Sequence, residues 1–287
     1  MNKTLIGKNG YLFLQNDSAK ELEVHCNNLN LITDKKLEHY NKNINKYFMV
    51  IYPNKCFVYR AHLPDKYKVK YRPGFDIYKN KFGKKILDGY KLLKDLDDVY
   101  YKTDTHINLK GNYIIYKNFI ETVNDIYNLE LKPKIININK EKCVLSHKNL
   151  GIGDLTWETN LGNQILDDND KMDTFYYSDD IPDFYCRHII TNDELRFLDY
   201  DLIDKTNCLL GDIVNWVILS QNIIYNKNNN CKHKVIIFYD SFLISILPLF
   251  FNLFNEIFLI KNAYHDTLIN LINPDYIFEF RLERFLC

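Results

Sequence analysis

The stretch Lys234-Val-Ile-Ile-Phe-Tyr-Asp240-Ser241-Phe242 is an apolar run that ends in an aspartate and a serine. Such a run predicts a buried strand, and the hydrophobic segment that follows it, 243–248, predicts a helical segment. In α/β proteins the carboxyl end of a strand is the usual place for reactive side chains. Ser241 is therefore a candidate nucleophile, although Asp-Ser after a strand is also ordinary turn chemistry. A base for its proton must come from elsewhere in the chain.

Other strand-like and helix-like patterns alternate along the chain. The run from Tyr47 to Pro53 is continuously apolar, which predicts a strand covered on both faces. Short strands are also predicted at 99–102, at 256–261 and within 273–284, and helices at 33–46, 86–96, 110–128 and 264–272. The region 140–230 is predicted to be rich in loops, with a turn at 151–155, a loop at 167–183 and a surface connector at 221–232. Alternation of strands and helices favours an α/β domain with a mainly parallel sheet.

Composition narrows the functional classes. The 287 residues carry 37 basic and 37 acidic side chains, so the charge balance does not favour nucleic acid as a partner. The longest apolar run, 242–254, is shorter than the roughly 20 residues that span a bilayer, so no membrane span is predicted. The amino terminus lacks the apolar region of a secretory signal. Seven cysteines without a Cys-x-x-Cys pair indicate reduced thiols in a cytoplasmic-type compartment.

The segment Thr103-Asp104-Thr105-His106-Ile107-Asn108 follows a predicted strand and precedes a predicted helix. It therefore lies at a second strand end, and the two junctions can meet at one edge of the sheet. His106 would accept the proton of Ser241, and Asp104 would hold the imidazole tautomer and stabilise its positive form. Asn108 could assist this chemistry or only cap the helix that follows.

Several short motifs, in a fixed order, resemble the SGNH-hydrolase-like domain of the alginate O-acetyltransferases AlgJ and AlgX. The resemblance covers nearly the whole chain, and the Asp-Thr-His-x-Asn block followed by Asp-Ser-Phe is its most specific part. The matching residues are Gly7–Leu14, Val50–Lys55 with Tyr59 and Leu63-Pro64, Lys102–Asn108 with Gly111, Gly153–Leu155, Tyr239–Phe242, and Pro274-Asp275 with Glu283-Arg284.

The resemblance implies one SGNH-like acyltransferase domain over residues 1–287, with three layers and helices on both faces of the sheet. It implies that an acetyl group passes through an ester on Ser241 to a hydroxyl of a polysaccharide or oligosaccharide, with His106 and Asp104 in the catalytic roles. The partners are a glycan acceptor and an acetyl donor, either acetyl-CoA or a membrane acyl carrier. No bound cofactor is expected.

Two residues depart from the family pattern. Tyr239 stands where glycine usually precedes Asp-Ser, and Ile107 stands where tryptophan usually follows the histidine. Tyr239 would crowd a turn that glycine eases. Further candidates for oxyanion or substrate binding are Asn108, Arg72, Trp157 and Tyr239. For each of them an ordinary structural role, at the surface or in the core, is the alternative. The two Cys-x-His pairs, at 186–188 and 231–233, lack the ligand set of a zinc site, so no metal is predicted.

Two other functions remain open from the sequence. A carbohydrate acetylesterase would use the same three side chains and release acetate to water. A glycan-binding protein without activity would result if Tyr239 displaced Ser241. The alginate enzymes work outside the cytoplasm, so an extracytoplasmic location follows if an export signal has been removed from this sequence.

Overall fold

The computed structural model describes residues 3–29, 32, 37–136, 138–142, 153–156, 173–177, 223–227, 232–250 and 253–286. The strands in these ranges are β1 Thr4–Ile6, β2 Leu12–Leu14, β3 Tyr47–Tyr52, β4 Ile86–Asp88, β5 Ile138–Lys142, β6 Asp173–Tyr177, β7 Ile223–Lys227, β8 Lys234–Tyr239, β9 Glu256–Ile260 and β10 Tyr276–Leu282. The α-helices are α1 Glu21–Asn27, α2 Lys55–Val58, α3 Pro73–Phe82, α4 Gly89–Leu93, α5 Leu109–Tyr127 and α6 Asp266–Ile272. A 3-10 helical segment, Ser241–Phe250, follows β8.

A six-stranded sheet organises the described part of the chain, in the order β4-β3-β10-β8-β9-β7. Neighbouring strands from β4 to β9 are parallel, while β7 joins the edge of the sheet antiparallel to β9. The last strand, β10, lies between β3 and β8, so the carboxyl ends of all three lie at one edge. β1 with β2, and β5 with β6, form separate antiparallel pairs.

Side chains of the central strands alternate between two buried layers. Phe48 and Val50 pack in the layer that contains α5 and the 3-10 segment. Met49 and Ile51 pack in the layer that contains α3 and α6. Burial on both faces explains why these strands are apolar without alternation. The prediction of an α/β fold, with a mainly parallel sheet and helices on both faces, is confirmed.

The helix predicted at 86–96 is wrong at its start. Ile86–Asp88 pairs with β3 as a strand, and the helix that follows is limited to Gly89–Leu93. Gly89 lies so close to β3 that a Cβ atom here would be 2.7 Å from the carbonyl oxygen of Ile51. Pairing with a neighbouring strand therefore overrides the local helical spacing.

Other local predictions are corrected or extended by the structure. The helix predicted at 110–128 is confirmed as α5, whereas 99–102 contributes only the isolated bridge between Tyr100 and Ile107. In the predicted helix at 33–46, residues 39–43 form a 3-10 turn. The loop predicted at 167–183 contains β6, and the connector at 221–232 contains β7, because both segments pair with strands far away in the sequence. Most of 140–230, including Trp157, lies outside the described residues.

A buried ion-pair network joins the ends of two strands. Arg72 Nη1 lies 2.8 Å from Asp88 Oδ1 at the end of β4, and Arg72 Nη2 lies 2.8 Å from Glu283 Oε2 just after β10. The three side chains are 8%, 9% and 2% exposed. Arg72 was predicted as a candidate for substrate binding, but its guanidinium pairs with two buried carboxylates of the protein itself. The neighbouring Arg284 pairs with a different carboxylate, that of Glu21, at 3.0 Å.

We expect Arg72→Met to lower the free energy of unfolding by about 3–5 kcal/mol, because two buried carboxylates lose their cation. Urea denaturation followed by circular dichroism measures the change. Lys94→Met is the control, since it removes an exposed pair with Asp95 and should cost less than about 1 kcal/mol. Equal losses in the two variants would contradict a structural role for Arg72.

Candidate active site

Ser241 is held in place by the aspartate that precedes it. Asp240 Oδ1 accepts a hydrogen bond from the Phe242 N–H at 3.0 Å, and Oδ2 accepts one from the Leu282 N–H at 2.7 Å. The second bond joins the turn after β8 to the end of β10. Burial raises the pKa of Asp240, while Arg281 and these two N–H groups act in the opposite direction. Asp240 thus fixes the turn that carries Ser241, through hydrogen bonds to the Phe242 and Leu282 N–H groups.

Tyr239 does not disturb this turn. Its side chain is 4% exposed and packs in the core layer that contains α5. None of the described residues with positive φ lies at positions 239–241, so the turn has no conformation that requires glycine. The structure thus places Tyr239, a candidate for oxyanion or substrate binding, in the core.

The Asp-x-His segment forms a loop closed by the bridge between Tyr100 and Ile107. Asp104 Oδ1 accepts a hydrogen bond from the His106 backbone N–H at 2.8 Å, and the same oxygen lies 2.7 Å from His106 Nδ1. The one-residue spacing lets a single carboxylate oxygen fix both the backbone and the ring of the histidine. The imidazole orientation is set within three consecutive residues.

The opposite nitrogen of the same ring reaches the serine. His106 Nε2 lies 2.8 Å from Ser241 Oγ. The side chain of His106 is 32% exposed and that of Asp104 is 4% exposed, so the imidazole lies between a buried carboxylate and an accessible hydroxyl. Asp104, His106 and Ser241 contact one another in series, as expected, although 99–102 supplies an isolated bridge rather than a strand.

Electrostatics favour an ionised Asp104 and a basic His106. Burial acts against ionisation of Asp104, but the hydrogen bond and charge of His106, together with two backbone N–H groups, hold its pKa at about 2. Burial also acts to lower the pKa of His106, yet the hydrogen bond and charge of Asp104 and the charge of Asp154 raise it above the ordinary value. The imidazolium formed when His106 accepts a proton is therefore stabilised.

Lys55 donates hydrogen bonds to the loop that contains Asp104. Its Nζ donates hydrogen bonds to the carbonyl oxygens of Leu12 at 2.8 Å, Lys102 at 2.8 Å and Asp104 at 2.9 Å. Three N–H donors of an ammonium group match these three acceptors. Burial lowers the pKa of Lys55 to about 7, and the charges of Asp104 and Asp154 act in the opposite direction. Lys55 ends the motif Val50–Lys55, which does not by itself indicate this role.

Asp154 also lies beside Asp104 and His106. Its backbone N–H donates to Asp104 Oδ2 at 2.8 Å, and its Oδ2 atom lies 3.7 Å from His106 Nδ1. The turn predicted around this residue is present as a 3-10 turn at 154–156. Its contact with His106 is not predictable from the sequence, because the pair Gly153-Asp154 alone does not indicate which loop it meets.

Asn108 is held by hydrogen bonds at the start of α5. Asn108 caps α5, with Oδ1 accepting from the Gly111 N–H at 3.0 Å and Nδ2 donating to the Asp98 carbonyl oxygen at 2.9 Å. Its side chain is 1% exposed, so the cap rather than the catalytic role is observed.

Among the described residues, Asp104, His106 and Asp154 could together offer ligands to a metal. Their carboxylate oxygens already accept hydrogen bonds from protein donors, which fits a device for orienting His106 better than a metal site.

Solved structures with a similar fold cover almost the whole chain. Bacillus cereus PatB1 matches with a TM-score of 0.61 and 16% identity, over 99% of this chain and 96% of that one. A DHHW family protein from Eubacterium siraeum matches with 0.56 and 17%, over 99% and 94%. The O-acetyltransferase domain of Pseudomonas putida AlgJ matches with 0.54 and 14%, over 99% and 91%. The chain has an AlgJ-like fold.

Sequence comparison adds no closer relative. A scan of protein-family models gives no match, and a search of curated protein sequences gives none. At these identities the likeness concerns the fold alone. No helix in the described ranges is both long and apolar enough to cross a membrane.

Lys55→Met should loosen the Asp104 loop, because three carbonyl oxygens lose their common donor. We expect the free energy of unfolding to fall by about 2–4 kcal/mol, as typical for buried acceptors left without partners. Urea denaturation measures this loss. Lys85→Met is the matched control: Lys85 Nζ donates to the carbonyl oxygens of Ile44 at 2.6 Å and Asn45 at 2.7 Å, but near the surface. A loss in Lys55→Met no larger than that of the control would show that the loop does not depend on Lys55.

Proposed function

We propose that this protein is a serine-dependent O-acyltransferase that moves an acetyl group onto a hydroxyl of a polysaccharide or oligosaccharide. The observation that carries the proposal is the continuous line of hydrogen bonds from Asp104 through His106 to Ser241 at the end of β8. The AlgJ-like fold supports acetyl as the group that is transferred, since that solved structure is an O-acetyltransferase domain.

In the first step Ser241 Oγ attacks the carbonyl carbon of an acetyl donor. His106 Nε2 accepts the hydroxyl proton, and the bond between the acetyl group and its carrier breaks as His106 returns that proton to the leaving group. Asp104 keeps the other imidazole proton on Nδ1, so Nε2 presents its lone pair to the serine. An acetyl ester on Ser241 is left behind.

The backbone N–H of Ser241 would stabilise the oxyanion formed in this step. Among the described residues nothing accepts a hydrogen bond from it, whereas the Phe242 N–H is bonded to Asp240. A free N–H at the nucleophile is a usual donor to a tetrahedral oxyanion. This donor takes the place that Asn108 was predicted to fill.

In the second step a sugar hydroxyl attacks the acetyl ester. His106 Nε2 takes the proton of that hydroxyl, the ester bond to Ser241 breaks, and the serine oxygen receives the proton. The acceptor becomes an acetylated glycan and the enzyme returns to its initial state. The acetyl donor is a small activated compound such as acetyl-CoA, or an acyl carrier partner at a membrane.

An acetylesterase is the second candidate function. It is favoured by the 32% exposure of the His106 side chain, because water can reach the same nitrogen as a sugar hydroxyl. The glycan-binding alternative has less support, since it required Tyr239 to displace Ser241, and the serine lies in contact with His106.

Incubation with 4-nitrophenyl acetate should add one acetyl group to Ser241, detected by intact-protein and peptide mass spectrometry. Ser241→Ala and His106→Ala should lack this adduct, because one removes the nucleophile and the other its base. Ser245→Ala, an exposed serine on the same 3-10 segment, should behave as wild type. A wild-type protein without an adduct and without any turnover that the first two variants lack would refute the proposal.

Transfer and hydrolysis differ in the product. With an acetyl donor and an acceptor oligosaccharide, we expect acetylated sugar to form at the expense of free acetate, because the acceptor competes with water for the ester on Ser241. Liquid chromatography with mass detection measures both products. Acetate alone, across neutral and anionic oligosaccharides, would assign the protein to the esterases.

The pH dependence of ester cleavage should follow His106. Only the neutral imidazole accepts the serine proton, so kcat/KM should rise with pH through one ionisation that lies above the ordinary histidine value of 6.5. Asp104 stays ionised throughout, since its pKa is about 2. Steady-state rates from about pH 5 to about pH 9 test this. A flat profile would exclude His106 as the base.

A further inference from the structure

Two carboxylates, rather than one, face the same side of the His106 ring. Asp104 Oδ1 lies 2.7 Å from Nδ1, and Asp154 Oδ2 lies 3.7 Å from the same nitrogen. The three-residue mechanism described above uses only the first of them. The side chain of Asp154 is 27% exposed, so its charge is partly screened but not removed by solvent.

Asp154 is joined by reciprocal hydrogen bonds to residues 103–106, the triad loop. It receives the Thr105 N–H on Oδ1 at 2.8 Å and the Thr105 hydroxyl on Oδ2 at 2.7 Å. In return its backbone N–H donates to Asp104 Oδ2 at 2.8 Å. Both oxygens of Asp154 accept a donor, which favours the ionised form, although burial and the charge of Asp104 raise its pKa.

The neighbouring glycine allows this close approach. A Cβ atom at Gly153 would lie 2.2 Å from the Thr103 carbonyl oxygen and 2.6 Å from the Asp104 nitrogen. No side chain fits at such distances, so the backbone of 153–154 can contact the triad loop only with glycine at this position. The contact places a residue 50 positions away directly against Asp104.

Negative groups outnumber positive ones among the charges that shift the pKa of His106. Asp104 and Asp154 both raise its pKa, and Arg284 acts in the opposite direction. Lys55, beneath the loop, interacts electrostatically with both carboxylates. Ser241 and the ring of Phe242, whose centroid is 5.0 Å from that of the imidazole, complete the surroundings without adding charge.

We propose that Asp154 is a positioning residue of this site, which adds a second negative charge to the imidazolium of His106 and locks the far oxygen of Asp104. This role rests on the proposed acyltransferase chemistry, in which His106 becomes positive in both steps. Asp154 contacts no reacting atom and acts through Asp104 and His106. Its charge stabilises the protonated base, and its backbone N–H prevents Asp104 from rotating away from Nδ1.

The test is the titration of His106 itself, which needs no substrate. Protein labelled with ¹³C at histidine is titrated by NMR, and the His106 signal is assigned with His106→Gln. Asp154→Asn keeps the shape of the side chain and removes its charge, so we expect the pKa of His106 to fall. Asp266→Asn is the matched control, because Asp266 Oδ2 lies 3.7 Å from Nδ1 of a different histidine, His39. It should leave the His106 titration unchanged.

Activity gives the second readout. In Asp154→Asn the rise of kcat/KM for 4-nitrophenyl acetate should move to lower pH, and its plateau should fall on the order of tenfold as one nearby charge is lost. A purely structural loss would lower the plateau without moving the rise. Asp154→Glu, which keeps the charge, should hold the rise near its wild-type position. If Asp154→Asn does not fold, Asp154→Ser removes the same charge and keeps an acceptor for the Thr105 N–H.

The outcomes separate this inference from the proposed function. If the pKa of His106 falls in Asp154→Asn but the wild-type protein forms no acetyl adduct, the electrostatic role of Asp154 is supported and the acyltransferase function is refuted. If the pKa of His106 is the same in Asp154→Asn as in wild type, and the wild-type protein forms the adduct, the role of Asp154 is refuted and the acyltransferase function is supported.

Discussion

The buried carboxylate of Asp104 is the group on which this site depends. Burial alone would neutralise it, but the His106 ring and the N–H groups of His106 and Asp154 hold its pKa at about 2. A fixed negative charge then determines which imidazole nitrogen carries the proton and where the other nitrogen points. The 2.8 Å contact between His106 Nε2 and Ser241 Oγ follows from that orientation. Without the charge, the same three side chains would form an ordinary polar contact.

The fold supplies rigid supports on each side of this contact. The parallel order of β3, β10 and β8 brings their carboxyl ends to one edge, and Asp240 ties the serine turn to the end of β10. Lys55 holds the Asp104 loop through three carbonyl oxygens. Partners 135 residues apart in the sequence, His106 and Ser241, are therefore joined through side chains that are themselves held by hydrogen bonds. Such preorganisation is what a reaction with a transient imidazolium requires.

The sequence was sufficient for the four central strands of the main sheet, β3, β8, β9 and β10, and for the contact of Asp104, His106 and Ser241 at its edge. Continuous apolar runs such as Tyr47–Tyr52 have few alternatives to a strand buried on both faces, and polar residues directly after such strands have a defined place. Arg72 and Asn108 have buried partners and Tyr239 packs in the core, and the polar or aromatic character of these residues does not reveal such contacts. β4, β6 and β7 were missed because strand pairing, rather than local spacing, decides their conformation. Asp154 and Lys55 depend on contacts across about 50 residues, which spacing along the chain cannot indicate.

The central claim is that the charge of Asp104 makes Ser241 reactive through His106. The most direct measurement is the single-turnover rate at which an activated acetyl ester acetylates Ser241 in Asp104→Asn, compared with wild type at equal folding stability. The account predicts a rate lower on the order of 10³- to 10⁴-fold, because the amide favours the wrong imidazole tautomer and cannot stabilise the imidazolium. A rate within about threefold of wild type, well below the effect of losing a buried charge, would contradict it.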